Sequence, residues 1–443
     1  MSIATETRPA VDALESSSVG LQRSITWKAA VIVSLGGSML VAVSLGPLAK
    51  DLGTASVPVW WTVLAVGVLQ CLFITELAGM FPDKSGGTAT YAHEGFKDLS
   101  PLPGALSNWG YWLGWLPVIA VNLILAATYV RAVFLPSQDN SLVLPIAGAL
   151  AIPIYIVNYY GLKPGVWMSV TMAVCAVVPL LVIALSPIVS PGLFIASNVF
   201  PMVPPDGAWT SAGSMELVVK WLFVAAWSAY AFESASSVVA EMRNPEEGAP
   251  KAIFGASAIG VLAYGLVPFM LLAILGTATL SEDPLVAFIP AANQIFGSWG
   301  GTIVGLMLIC ALLLGVQTAV IGCSRTLYEM SRDGLTLKQF GYLNKYGVPV
   351  GCIAWDLFVT LALVAAFGTD IINIVAASNV GYLVPMALTA LAYVRLRRLQ
   401  PARKRPFRLG SAFSIVAMLT AIFNIVLLFL GAYFWGRRHA SVC

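Results

Sequence analysis

An all-α integral membrane protein with about eleven transmembrane helices is the fold class that this sequence predicts. The 443 residues are 58% hydrophobic and only 10% charged, and the mean hydropathy is +0.85. Soluble domains carry about 25% charged residues, so a soluble core does not account for this composition. The apolar residues also lie in long runs, and a helix needs about 20 such residues to cross roughly 30 Å of hydrocarbon.

The apolar runs are separated by Pro, Gly and charged clusters, and each predicts one span. Numbered one to eleven, the predicted spans cover residues 27–48, 57–80, 104–134, 142–158, 164–188, 215–239, 251–276, 298–328, 349–367, 370–393 and 410–435. Helices are expected because a lipid-exposed strand edge would leave backbone groups without hydrogen bonds. The short alternating segments of a membrane β-barrel are not seen in the sequence.

The distribution of Lys and Arg predicts the orientation, because these residues accumulate on the cytoplasmic side. With a cytoplasmic N-terminal tail at 1–24, the inside segments hold Arg8, Arg23, Lys28, Lys84, Lys97, Lys163, Arg243, Lys251, Arg325, Arg332, Lys338, Lys345, Arg395, Arg397, Arg398, Arg403, Lys404, Arg405 and Arg408. Only Lys50, Arg131, Lys220, Arg437 and Arg438 then lie outside or near the outer ends of spans. The tail lacks the basic-then-apolar order of a signal peptide. We expect a multi-pass plasma-membrane protein.

A long Pro- and Gly-rich segment separates spans five and six and divides the chain into two halves. We predict a first repeat at 25–188, an extracytoplasmic loop at 189–214 and a second repeat at 215–393. The remaining residues, 394–443, would form a cytoplasmic loop, span eleven and a short tail. If the two halves are inverted repeats, spans one and six correspond, and both should be interrupted near mid-membrane.

Span one contains adjacent glycines between two hydroxyls, in the run from Ser34 to Met39. Each Gly costs a helix up to about 1 kcal/mol relative to Ala. A break here would free backbone N–H groups at the positive end of a half-helix, and such groups bind a carboxylate. The alternative is close helix packing through small residues, which is common in membranes.

Span six carries an acid, Glu233, within the aromatic run from Trp227 to Ser234. A carboxylate at mid-membrane costs roughly 2.5 to 3.5 kcal/mol, so it should be protonated, paired or facing a cavity. Glu233 is therefore a candidate proton carrier and a candidate partner for a substrate ammonium. Trp227 lies on a different helical face from Glu233 unless an unwound stretch brings both to one cavity. There its indole could hold a cation; the alternative is helix packing.

Three further polar residues lie within apolar runs. Glu76, near the cytoplasmic end of span two, is expected to snorkel or to pair with a loop Lys or Arg. Asp356 in span nine could make a helix contact or belong to a relay. Gln317 in span eight could line the pathway or hydrogen-bond across helices.

Enzyme, metal and nucleic-acid functions find little support. The six cysteines stand singly, without the spacing of a zinc site or disulfide framework, and are expected to be small core residues. Only His93 and His439 are present, too few for a His-rich metal site. There is no Walker loop, so ATP is not the evident energy source. No cofactor, no metal and no nucleic-acid partner are expected.

Four loop motifs resemble those of the amino acid-polyamine-organocation permease superfamily. They are Phe81-Pro82-Asp83-Lys84-Ser85-Gly86-Gly87-Thr88-Ala89-Thr90-Tyr91, Glu241-Met242-Arg243-Asn244-Pro245-Glu246-Glu247-Gly248-Ala249-Pro250-Lys251-Ala252-Ile253, Ser324-Arg325-Thr326-Leu327-Tyr328-Glu329-Met330-Ser331-Arg332-Asp333-Gly334-Leu335 with Asn344-Lys345-Tyr346-Gly347-Val348-Pro349, and Arg405-Pro406-Phe407-Arg408. They occur in the right order around the right spans, and the likeness extends from about Trp27 to Arg408.

The resemblance implies a leucine-transporter-like fold of five plus five inverted repeats, with substrate between the breaks of spans one and six. Gly36-Gly37-Ser38 looks like the family's Gly-x-Gly carboxylate loop, and the segment from Trp227 looks like span six of arginine/agmatine-type exchangers, with Ala231 at a usual Gly position. The candidate substrate-binding residues are Ser34, Gly36, Gly37, Ser38, Met39, Trp227, Ser228, Tyr230, Ala231, Phe232 and Gln317, and Glu233 is the candidate proton-coupling residue. Ala176 stands where some proton-coupled members carry Lys. The family usually has twelve spans and eleven are predicted here, so either the twelfth is lacking by nature or the chain is truncated.

The predicted function is secondary active transport of an amino acid or related small amine by alternating access. A proton is the expected coupling ion, with sodium as the alternative. An exchanger is the main rival interpretation, and a permease-like sensor without transport is a further one. The sequence leaves the identity of the amine and the formation of a homo-oligomer open.

Overall fold

The computed structural model describes residues 21 and 23–440, excluding the side chains of Lys163 and 438–440. Most of the predicted cytoplasmic tail, 1–24, and the end of the chain therefore lie outside the described residues. Ten helical stretches among those described are long and apolar enough to cross a membrane. The first, Trp27–Met80, has 54 residues and includes predicted spans one and two. The all-α polytopic prediction is confirmed.

The first half begins with an interrupted helix. Its helices are Trp27–Ser34, Val41–Leu52, Ser56–Met80, Thr88–Phe96, Leu102–Phe134, Val143–Tyr159 and Leu162–Val189, with short 3₁₀ turns at Leu35–Leu40, Gly53–Ala55, Asn140–Leu142, Pro191–Leu193 and Ala196–Asn198. Gly53 has a positive φ of 58°, which lets the chain leave span one and enter span two within a few residues. Thr88–Phe96 is a short helix between spans two and three that the sequence analysis does not predict.

The second half has the same kind of interrupted first span. Its helices are Ala212–Ala229, Pro245–Val261, Val267–Glu282, Phe288–Phe296, Ser298–Arg332, Val350–Phe367, Ile371–Leu399 and Phe413–Ala440, with 3₁₀ segments at Ala231–Glu241, Pro284–Val286 and Lys338–Gly341 and a π-helical turn at Leu262–Leu266. Most helices extend a few residues past the predicted spans, because a helix can continue beyond the hydrocarbon.

The spans differ in how much of their surface is protein-covered. The apolar windows of spans three and eight are 83% and 72% buried, whereas those of spans four, nine and eleven are only 22%, 22% and 28% buried. Spans three and eight therefore belong to the interior, and the other three present most of their surface outward, as lipid-facing helices do. The described cysteines are unpaired and lie at buried or half-buried positions.

Candidate substrate site

Span one is interrupted at the predicted glycines. Its first helix ends at Ser34, whose hydroxyl donates to the carbonyls of Ala30 (2.6 Å) and Val31 (3.0 Å). Such hydroxyl bonds within a helix often bend it. The next six residues, Leu35–Leu40, form a buried 3₁₀ segment that includes Gly36, Gly37, Ser38 and Met39. The change in winding releases the carbonyl of Gly37, which accepts a 2.6 Å bond from the hydroxyl of Tyr264 in span seven.

The two glycines lie where spans one, six and eight touch. A Cβ on Gly36 would come within 2.3 Å of Oγ1 of Thr318, and one on Gly37 within 2.8 Å of the Ala231 carbonyl oxygen. Both distances are too short for any real side chain. The interruptions of spans one and six are thus in direct contact, as the predicted site requires.

Span six changes from α-helix to 3₁₀-helix between Ala229 and Ala231. Its residues then face different neighbours. The hydroxyl of Ser228 hydrogen-bonds that of Ser44 in span one at 2.9 Å. Tyr230 donates to Oδ1 of Asn424 in span eleven at 3.2 Å. The centre of the Phe232 ring lies 5.5 Å from that of Tyr264, whose hydroxyl donates to the Gly37 carbonyl of span one.

Glu233 is 1% exposed and is surrounded by neutral donors from two other spans. Its Oε1 accepts from the hydroxyls of Tyr382 (2.9 Å) and Tyr111 (3.0 Å) and from Nε1 of Trp115 (3.3 Å). Its Oε2 accepts from Ser236 at 3.1 Å. Spans three, six and ten therefore meet at this one carboxyl group.

Trp227 faces the same two helices as Glu233. Its Nε1 donates to the Gly114 carbonyl (3.0 Å) and to the Ser378 hydroxyl (2.8 Å), which lie on spans three and ten. Gly114 directly precedes Trp115, and Ser378 is one turn before Tyr382. The change in winding between Trp227 and Glu233 brings both to one wall, which a regular α-helix would not do.

Gln317, a further predicted site residue, contacts span four and not spans one or six. Its amide exchanges hydrogen bonds of 2.7 and 3.2 Å with Asn158 in span four. The residue that reaches span one is its neighbour Thr318, whose hydroxyl donates to the Val33 carbonyl. Of the two alternatives for Gln317, lining the pathway or hydrogen-bonding across helices, these contacts correspond to the second, and its place in the site stays a prediction.

Comparison with known proteins identifies the group to which this architecture belongs. The family model described as "Amino acid permease" matches residues 25–439. The chain belongs to the amino acid permease family. An arginine/ornithine antiporter of Latilactobacillus sakei is 24% identical, with 91% of this chain and 89% of that protein covered. A probable polyamine transporter of Arabidopsis thaliana is 26% identical (84% and 70% covered), and an arginine/ornithine antiporter of Lactococcus lactis is 24% identical (72% and 67% covered). This permease is a transporter and not an enzyme.

Glu76 of the permease makes the ion pair that the sequence analysis predicts. It is fully buried, and Arg397 donates to it with Nε and Nη2, both at 3.0 Å. The Nε atom of Arg405 lies 3.1 Å from Oε1, and Tyr393 and the Leu409 backbone N–H also donate to the carboxylate. Glu76 thus joins span two to span ten and the loop before span eleven.

Asp356, another buried acid of the permease, makes contacts that differ from those of Glu233. Its Oδ1 accepts a 2.7 Å bond from Nε1 of Trp112, while Oδ2 has no partner among the described residues. Trp112 directly follows Tyr111, which donates to Glu233, so two successive residues of span three each bond to one of these acids.

Ion pairs connect three of the loop motifs of the permease, those at 81–91, 241–253 and 324–335. Arg325 pairs with Glu241 at 3.0 Å, with both side chains less than 5% exposed. Lys84 lies 3.0 Å from Glu329 and 2.5 Å from Asp333. Burial alone would lower the pKa of Lys84, but these two carboxylates raise it above its ordinary value. These pairs join spans two, six and eight.

Proposed function

We propose that this permease carries an amino acid or a related small amine across the plasma membrane by alternating access, with proton coupling through Glu233. The names of its relatives support amine substrates, since they include arginine/ornithine antiporters and a probable polyamine transporter. The substrate carboxylate would lie near Gly36, Gly37 and Ser38, and its ammonium group near the aromatic wall of span six. Cytoplasmic placement of the N-terminus belongs to the same proposal.

The environment of Glu233 is the observation that carries the coupling proposal. Its four donors are all neutral, and no Lys or Arg pairs with it in the described part of the chain. Hydrogen bonds to a carboxylate favour its charged form, while removal from water favours its protonated form. Gain of a proton would change how Tyr111 and Tyr382 bond to it. The charge state of Glu233 is thereby linked to the packing of spans three, six and ten.

The test is the uptake of arginine into proteoliposomes across a pH series. Glu233→Gln keeps a similar shape but removes the titrating group, so the pH dependence of uptake should flatten and a proton gradient should no longer drive accumulation. Asp356→Asn is the matched control, because it neutralises another buried acid that also bonds to span three but makes no contact with Glu233. A Glu233→Gln protein with the pH dependence and gradient response of the wild type would overturn the coupling role.

Exchange is the second candidate, favoured by the two relatives named as arginine/ornithine antiporters. Counterflow distinguishes the two modes: an exchanger takes up labelled arginine only into vesicles preloaded with an amine. Uptake without sodium distinguishes the coupling ions. A permease-like sensor would bind arginine without moving it in either assay.

A further inference from the structure

A positively charged cleft lies where span ten ends and span eleven begins, far along the chain from the candidate substrate site. It has a volume of about 480 Å³. Its polar lining residues are Arg397, Arg398, Arg405, Arg408, Ser411 and Ser414. Clefts of 300 to 1,000 Å³ are of the size that holds small ligands.

The charge inside this arginine cleft is not balanced. Arg397 and Arg405 share a single carboxylate, Glu76. Arg398 and Arg408 make no hydrogen bond or ion pair with any described residue. The four guanidinium groups thus leave an excess of three positive charges. Burial lowers the pKa of Arg405, and the neighbouring charges of Arg408 and Arg397 lower it further. The Glu76 carboxylate raises this pKa but does not cancel the lowering.

Apolar surface adjoins the cleft on the same helices. Leu399, next to Arg398 at the end of span ten, is 54% exposed. Ile415, next to Ser414, is 66% exposed, and Leu419, one turn further along span eleven, is 61% exposed. A ligand with a negatively charged head and hydrocarbon tails would match both surfaces. A free inorganic anion would use only the arginines.

We propose that the arginine cleft binds the phosphate of an anionic phospholipid, with the lipid's acyl chains lying against the outward face of span eleven. Guanidinium groups match phosphate oxygens with paired N–H donors. Basic pockets between transmembrane helices on the cytoplasmic side are suited to lipid headgroups, and the positive-inside distribution places this cleft on that side. The site would tether the span ten–eleven unit to the membrane surface.

The experiment measures thermal unfolding of the detergent-purified permease during titration with phosphatidylglycerol, with phosphatidylcholine as the uncharged comparison. A ligand that binds only the folded state raises the unfolding temperature. We expect phosphatidylglycerol to stabilise the wild type and phosphatidylcholine to have no comparable effect. Each arginine near a membrane surface contributes about fivefold to lipid affinity. Arg398→Gln/Arg408→Gln should therefore need roughly 25-fold more phosphatidylglycerol for the same shift.

The double variant leaves Arg397, Arg405 and Glu76 intact, so the fold-stabilising pairs are preserved. Lys338→Gln/Lys345→Gln is the matched control, since it removes two charges from another loop on the same face. The proposal is overturned if both double variants respond to phosphatidylglycerol equally. It is also overturned if inorganic phosphate alone reproduces the wild-type shift, because the cleft would then be a free-anion site.

Discussion

Gly37 lies at the contact between the interruptions of spans one and six, where space for a side chain is lacking. We expect Gly37→Ala to push the Ala231 carbonyl away and to distort the backbone proposed to bind the substrate carboxylate. Overpacking of this kind costs about 1–3 kcal/mol. Binding of arginine to purified protein should weaken by about tenfold or more, whereas agmatine, which lacks the carboxylate, should be affected less.

Gly148 in span four provides the control for this change. A Cβ there would meet no atom within 4 Å. Gly148→Ala should leave arginine affinity unchanged and should favour the helix by up to about 1 kcal/mol. Equal arginine affinity in Gly37→Ala and Gly148→Ala would remove the carboxylate loop from the proposed site.

Spans six and eight are joined by the buried pair of Glu241 and Arg325. Loss of one partner from a buried ion pair costs about 3–5 kcal/mol, because the other charge is left without compensation. We expect Arg325→Met to lower the free energy of unfolding by about that amount. Glu241→Gln/Arg325→Met should recover part of the loss, since neither charge then remains.

The free energy of unfolding in urea would measure this coupling, with Arg332→Met, nearer the end of the same helix, as the control for removal of an arginine. If the losses measured for Arg325→Met and for Glu241→Gln add up to the loss in the double variant, the pair itself contributes nothing to stability.

The start of span six is attached to the loop before it by Asp206. This carboxylate accepts from the hydroxyls of Ser211 and Ser214 and from the Ala208 backbone N–H, and these bonds lower the pKa of Asp206. A lowered folded-state pKa gives stability that is present above the unfolded pKa of about 3.9 and is lost as pH falls through the folded pKa.

Asp206→Asn should therefore unfold at a lower temperature than the wild type at pH 7. The difference should begin to shrink as the pH falls below about 4 and should vanish only below the lowered folded-state pKa, where the folded wild-type carboxyl is also protonated. Melting curves across this range would check the prediction; a temperature difference independent of pH would show that the charge of Asp206 has no part in it.

At the level of elements, local sequence features were sufficient to predict the spans and the two interruptions. Adjacent glycines weaken a helix, and an acid within an apolar span needs a special environment. Each of these features can be recognised from the residues of its own span alone. The donors to Glu233 could not be assigned, because Tyr111, Trp115 and Tyr382 meet it only through packing. Tyr111 and Trp115 do lie four residues apart, on one face of span three, which was the available signal.

At the scale of the whole molecule, the candidate site lies among packed spans. Gly37, Trp227 and Glu233 are all buried, and the Glu241–Arg325 pair joins spans six and eight. Transport by alternating access requires that these contacts separate in another conformation.

Orientation in the membrane is the remaining property of the whole molecule, and the 19-to-5 distribution of basic residues predicts it. The loop between spans three and four should lie outside the cell, and the loop between spans eight and nine inside. Asp139 and Lys338 are exposed residues in these loops.

On intact cells, a membrane-impermeant maleimide should label Asp139→Cys, while Lys338→Cys should react only after permeabilisation. The unmodified chain gives the background from native cysteines. Labelling of Lys338→Cys but not Asp139→Cys on intact cells would invert the topology and place the arginine cleft on the outer surface.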